Sequence, residues 1–346
     1  MSRPPATRVF APPAGDLLCF GELLLRLGAP GRELLLQSPR FDVHFGGAEA
    51  NVAIALARFG HRVRMASVLP ANALGEAARG ELQRHGVGTS MVLDGAGRMG
   101  LYFLETGAMQ RPSEVLYDRA GSAFALADPS RFDWPALLRD TRLLHLSGVT
   151  PAVSANAAHS ALAAARAAVD AGVPVAFDGN FRQKLWEARG ADPRPVLREL
   201  MDCASVLFAD ARDIGLVLGD AAGADGFAGA ARAAFAAFPR LTHLAATRRT
   251  AGAADRQALG ADVATRDEHI TLDALPLDGV VDRIGGGDAF AAGVLDGLLR
   301  ERTPRDALRF GLASACLKHA VPGDFIRFGA DAVEALLGDQ RVDIRR

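Results

Sequence analysis

The sequence predicts an α/β fold, a doubly wound and largely parallel sheet carrying a small β-strand lid, and three observations lead to it. Short apolar runs alternate with longer Ala-rich segments of helical period, the pattern of βαβ units. Two stretches, 22–45 and 98–121, break that alternation with strand-like periodicity. Two glycine turns stand immediately ahead of helical segments, where an open α/β sheet meets its ligands.

Taken in chain order, residues 1–15 are rich in Pro and Ala and lack the apolar run of a signal peptide, so they read as a disordered tail. Strand runs follow at 16–20, 63–68, 143–147, 174–178, 205–209 and 242–246. Helical segments lie between them at 50–59, 75–85, 154–171 and 195–203. Val52, Ala55, Leu56 and Phe59 share one helical face, as do Phe290, Val294 and Leu298 farther on. In the second interruption Leu101 and Phe103, then Val115 and Tyr117, alternate. Both interruptions therefore read as antiparallel strands inserted into the frame, the kind of extension that closes over a cleft; a solvated edge hairpin is the plainer alternative. With no internal repeat and no long linker, 16–338 reads as one domain, followed by a polar tail at 339–346.

The chain has 346 residues, with 39 Lys+Arg against 40 Asp+Glu and a formal charge of −1. This balance, without a basic run, excludes electrostatic attraction to nucleic acid or an anionic membrane as the organising principle and favours a small-molecule partner. Lys184 and Lys318 are the only lysines, so 37 of the basic residues are arginine. Neither lysine stands in a G-x-x-x-x-G-K-[ST] loop, so any phosphate must be held some other way. Cys19, Cys203 and Cys316 fit neither a disulfide framework nor a C-x-x-C metal site, which points to a reducing cytoplasm. No stretch reaches the roughly 18 apolar residues of a membrane span. The eight histidines form no H-E-x-x-H pair, so zinc is not expected, and His145 and His319 read as packing residues.

The sharpest motif runs from Val281 to Phe290 and contains Gly285-Gly286-Gly287-Asp288 ahead of a helical segment. Glycines there let a ligand approach the backbone, and the free N–H groups of the first turn then make an anion site. Such donors contribute about 2.7–4 kcal/mol each in a transition state, against about 0.3–2 kcal/mol from the helix dipole. A carboxylate beside a phosphate makes sense for Asp288 if it takes the proton of an attacking hydroxyl; the alternative is a plain acidic helix N-terminus.

Four further sets could serve a ligand. Gly46-Gly47-Ala48-Glu49-Ala50-Asn51 opens a helix without the spacing of a dinucleotide fingerprint, and its Asn could meet sugar hydroxyls. Tyr102 and Tyr117, the only tyrosines, share the second interruption with Arg119, whose planar guanidinium suits a carboxylate. Asp178-Gly179-Asn180-Phe181-Arg182 ends a strand, making Arg182 a second anion clamp or a surface arginine. Asp210 and Asp213 could orient water around Mg²⁺ or cap a helix.

In combination these residues resemble the ribokinase-like (PfkB) carbohydrate kinases from about Leu17 to Phe328, and among them the bacterial 2-keto-3-deoxygluconate kinases. The resemblance rests on Phe45 to Ala53, on Leu146-Ser147-Gly148-Val149-Thr150-Pro151, on Val281 to Asp288, and on Leu317-Lys318-His319 with Pro322-Gly323-Asp324-Phe325. It implies a ribokinase-like α/β core with a β lid and ATP with Mg²⁺. Asp288 is then the base and Gly285, Gly286 and Gly287 the anion hole. It further implies that Gly47, Asn51, Tyr102, Tyr117, Arg119, Val149 and Arg182 contact an acid sugar, that Asp210, Arg248, Gly285 and Gly287 serve ATP, and that Asp213 serves the metal. The implied reaction is phosphorylation of the primary hydroxyl of 2-keto-3-deoxygluconate. Related kinases act on ketohexoses, the galactonate epimer or other deoxy-keto acids, and a sugar-binding regulator that has lost catalysis is the alternative of another class. Lids of this fold often pair between subunits, so the resemblance also implies a homodimer through the lid.

Departures from the pattern are local. Gly286 replaces the commoner Ala, Asp210-x-x-Asp213 stands where the family has Asn-x-x-Glu, and Thr247-Arg248-Arg249-Thr250 replaces the usual glycine-rich turn near the adenine.

Overall fold

The structure, a computed structural model, describes residues 15–338, so residues 1–14 and 339–346 of the two predicted tails lie outside it. Thirteen strands are present among the described residues: β1 Asp16–Phe20, β2 Leu24–Gly28, β3 Asp42–Gly46, β4 Val63–Pro70, β5 Val87–Gly95, β6 Leu101–Glu105, β7 Glu114–Asp118, β8 Thr141–Ser147, β9 Val175–Asp178, β10 Val206–Phe208, β11 His243–Ala253, β12 Arg256–Ala264 and β13 His269–Asp278. Nine of them form the main sheet in the order β13-β12-β11-β10-β9-β8-β1-β4-β5. All its pairings from β11 to β5 are parallel, and β12 and β13 add an antiparallel edge.

Alternation along β1 shows why helices cover both faces. Leu17 and Cys19 enter the core layer that contains the helices Ala48–Arg58, Gly286–Leu299 and Pro304–Lys318; Leu18 and Phe20 enter the other, with Ala155–Asp170 and Arg194–Cys203. Helix starts follow their capping residues. Ser154 Oγ accepts the N–H of Ala157, and Thr303 Oγ1 accepts that of Asp306 ahead of Pro304 at the first helical position. The helix Gly286–Leu299 is apolar nearly all round and lies in the interior, so its N-terminus is fixed by packing along its length.

The strand reading at 242–246 stopped short, because β11 continues to Ala253 by pairing antiparallel with β12. On β12, Leu259, Ala261 and Val263 face the core, but small residues and a buried Asp262 blur the alternation that sequence periodicity depends on.

β3, β2, β6 and β7 form a separate four-stranded sheet from the two interrupting stretches. Each stretch is an antiparallel hairpin, but β2 and β6, at its centre, are parallel rather than antiparallel as expected. The reason is topological: each hairpin continues from the end of a parallel main-sheet strand, β1 or β5, so both chains enter in the same direction. Register sets one row of the lid as His44, Arg26, Tyr102 and Tyr117, and the adjacent row as Val43, Leu27, Phe103 and Leu116. Tyr102 and Tyr117 line the cleft, while Val43 and Leu116 are exposed on the opposite face. No helix among the described residues is long and apolar enough to cross a membrane.

Candidate active site

The C-terminal ends of β8, β9 and β10 and the middle of β11 open into a cavity of about 920 Å³, which the lid and the start of the helix Gly286–Leu299 complete. Its polar groups come from separate parts of the chain.

At the head of that helix, Gly285 has φ 79°, and a Cβ there would stand 1.9 Å from the carbonyl oxygen of Asp324. Only glycine allows this left-handed turn to press against the C-terminal segment. Asp282 Oδ1 accepts the N–H of Ile284 at 3.0 Å and shapes the approach to the turn. Gly285 and Gly287 line the cavity, where the first-turn N–H groups lack helical partners. Gly286 is buried against the imidazole of His319.

Asp288 lies one residue beyond, in the cavity wall. Asn51 Nδ2 donates to its Oδ2 at 2.6 Å, leaving Asn51 Oδ1 buried without a protein partner. An acceptor is thus presented beside a carboxylate, a suitable pair for a hydroxyl that must be oriented and deprotonated. Burial pushes the Asp288 carboxyl up to about 6, against the lowering effect of the Asn51 hydrogen bond and Arg182. Gly47, at φ 152°, brings this segment against the carbonyl of Glu22, and the helix holding Asn51 starts directly after it.

Glu49, one turn from the site, is buried and accepts from Ser147 Oγ at 2.7 Å and Thr150 Oγ1 at 2.6 Å. It ties the Asn51 helix to the end of β8 and to Val149, which lines the cavity. Burial raises its pKa.

The lid contributes Tyr102, Tyr117 and Arg119. Arg119 arrives already matched, with Nε donating to Glu22 Oε2 at 2.7 Å in a buried pair. Tyr102 donates its hydroxyl to Asp324, itself ion-paired to Arg26. Arg182 differs, for among the described residues it has no carboxylate ion pair and acts on Asp288 and Asp178 through space. Of the two proposed clamps, Arg182 is the one with unmatched charge.

Asp178 also lines the cavity; burial, then Asp288 and Asp213, push its carboxyl up to about 8. Asp210 and Asp213 both lie in the cavity wall and form a reciprocal capping box for the helix Ala211–Leu218. Burial, then Asp210, raises Asp213 to about 6. Arg248 reaches the cavity wall, but its guanidinium is engaged by buried Asp262 at 2.8 Å and by the Leu272 carbonyl at 2.8 Å. Its neighbour Arg249 and Arg283 line the cavity too, without carboxylate partners among the described residues, and burial followed by Arg283 lowers the Arg249 pKa.

Sequence reasoning passed over Glu49, Asp178, Arg249, Arg283 and Asp324. All five stood inside quoted motifs, and for Glu49, Asp178 and Arg283 a charged residue in an otherwise apolar or glycine-rich motif was the available signal. For Asp324, in the quoted Pro322-Gly323-Asp324-Phe325, it was the fold that placed it against Gly285.

Residues 14–325 match the pfkB family of carbohydrate kinases. The chain belongs to that family. A 2-dehydro-3-deoxygalactonokinase from Haloferax volcanii is 36% identical over 203 residues, which cover 59% of this chain and 63% of the relative, less than two thirds of its length. The crystal structure of a 2-dehydro-3-deoxygluconokinase from Thermotoga maritima is 35% identical with a TM-score of 0.87, covering 94% of this chain and all of that one. A fructokinase from Xylella fastidiosa, solved with bound ATP, is 25% identical with a TM-score of 0.77 over 94% of this chain and 98% of its own. This family member thus carries the ribokinase-like core with its second, smaller sheet.

Proposed function

We propose that this carbohydrate kinase transfers the γ-phosphoryl group of ATP to the primary hydroxyl of 2-keto-3-deoxygluconate. The observation that carries this reading is the Asp288 carboxyl, held by Asn51 at the start of the helix behind Gly285, in a cavity that also holds the unpaired Arg182. Arg182 is suited to the sugar carboxylate, and Tyr102 and Tyr117 to its hydroxyls. Asn51 Oδ1 would accept from the reacting hydroxyl while Asp288 takes its proton. The backbone donors behind Gly285 and Gly287 would hold the charge that develops on the transferring group.

ATP and Mg²⁺ fit the residues present. Arg249 and Arg283 offer unmatched positive charge to a polyphosphate, and Asp213 and Asp178 crowd carboxylates into one wall that a cation would relieve. No cluster able to hold a metal ion with three acidic, His or Cys ligands occurs among the described residues. That agrees with Mg²⁺, which keeps several waters and is held by one or two carboxylates together with phosphate. When bound, it would neutralise phosphate charge in the transition state.

The Haloferax relative's name favours a second reading, the galactonate epimer, since nothing in Arg182 distinguishes one hydroxyl configuration from the other. Both readings are tested by comparing kcat/KM for 2-keto-3-deoxygluconate, its galactonate epimer and fructose. A hydrogen bond to a charged group contributes about 1.5–3 kcal/mol, so the acids are expected to exceed fructose by about 10- to 100-fold, and Arg182→Gln to remove most of the gap. Fructose equal to or better than both acids would overturn the acid-sugar assignment.

A further inference from the structure

Lys318 occupies a position that the reaction described above does not use. It closes the helix Pro304–Lys318, its side chain is wholly buried, and its Nζ donates to the carbonyl oxygens of Asp282 at 3.4 Å and Val321 at 3.2 Å. No carboxylate lies within ion-pair distance of it among the described residues. Asp282, Asp324 and Asp288 attract the ammonium through space, but its direct contacts are backbone carbonyls, and such oxygens are the ligands that replace water around monovalent cations. In a chain with 37 arginines and an exposed Lys184, the one buried lysine is placed on these carbonyls, where its ammonium acts as a compact point charge.

The two carbonyls belong to the two segments that shape the anion turn. Asp282 is three residues before Gly285, and Val321 is three before Asp324, whose carbonyl presses on Gly285. The segments are already joined by Val281 N–H to the His319 carbonyl at 2.9 Å and by Gly323 N–H to Asp282 Oδ2 at 3.0 Å. From the lid, Arg26 reaches the same junction, donating to Asp282 at 2.6 Å and pairing with Asp324 at 3.1 Å.

We infer that Lys318 is a built-in cation beneath the anion hole, a positioning residue whose ammonium clips the 281–284 and 319–324 segments together and fixes the Gly285 turn for phosphoryl transfer. It does the work of an exchangeable monovalent ion, and it deepens the proposed kinase reading.

The test uses the full-length protein with ATP and its best sugar. Lys318→Met keeps the length and apolar stem without the charge. Its kcat is expected to fall by about 10- to 100-fold, less than the loss of a direct transition-state donor, with sugar KM within about threefold. Lys318→Ala opens space, so methylammonium or K⁺ should restore activity saturably in that variant while leaving the wild type unchanged. A folded Met variant with wild-type kcat, or a folded Ala variant that no small cation rescues, would overturn the inference. Should both variants fail to fold, the wild type decides. Rates in K⁺, Na⁺ and tetramethylammonium chloride at equal ionic strength are expected to agree within about twofold, whereas a K⁺ requirement of about tenfold or more contradicts a filled cation seat. If no sugar is phosphorylated under any condition, the kinase reading fails, which is distinct from a kinase that needs K⁺.

Discussion

Asp288→Asn is expected to lower kcat by about 10²–10⁴, the contribution of a positioned general base, while the KM for ATP stays within about threefold. The substitution keeps the size and planarity of the side chain, so its surroundings need not rearrange. What it removes is a proton acceptor at the one carboxylate that sits both beside the Gly285 turn and on the Asn51 amide. Steady-state kinetics with ADP detection reads the loss. Wild-type turnover would mean that the sugar hydroxyl gives up its proton elsewhere.

Gly285→Ala is expected to have the second largest effect, for a geometric reason. Its Cβ would stand 1.9 Å from a backbone oxygen, that of Asp324, which cannot rotate away as a side chain could. The left-handed φ of 79° adds strain of about 1–3 kcal/mol. The turn must therefore move, and with it the donors behind it, so kcat should fall by about 10²–10³. Gly190→Ala is the control: it shares a left-handed φ of 64°, but nothing lies within 4 Å of its added Cβ. It should lower thermal stability by about 1–2 °C per kcal/mol of strain and leave kcat unchanged. Equal losses of activity in the two variants would show that strain alone, rather than the anion turn, is being measured.

These residues differ in how far the sequence disclosed them. The glycine turn, Asp288 and Asn51 stood out in the sequence because each proposed role requires a particular residue type at a fixed offset from a helix start, and the fold brings them to one cavity. The parallel frame was legible because apolar strand runs and helical faces have distinct periods. Less legible were features that depend on which segments meet. The parallel β2–β6 pairing follows from where two distant hairpins enter the lid. Arg119 looked like a free clamp until Glu22, 97 residues away, proved to be its partner. Arg248 looked like a phosphate ligand, yet Asp262 on the antiparallel neighbour holds it. Long-range charge pairing leaves no local periodicity, so a sequence with 37 arginines offers many candidates and little means of ranking them.

The claim that Asp288 is a base tuned by its setting is tested most directly by the pH dependence of kcat/KM in the wild type and in Asn51→Ala. Burial lifts Asp288 to about 6 and the Asn51 hydrogen bond opposes that rise. Below this value the carboxyl is protonated and cannot accept a proton, so activity should climb with pH and level off above it. Removing the Asn51 amide takes away a contact that favours the charged form, so the rising limb should move to higher pH in the variant. The nucleotide's own titration is common to both enzymes and cancels in the comparison. A limb that stays in place when Asn51 is truncated, or a wild-type profile that falls as pH rises through this range, would contradict Asp288 as the base.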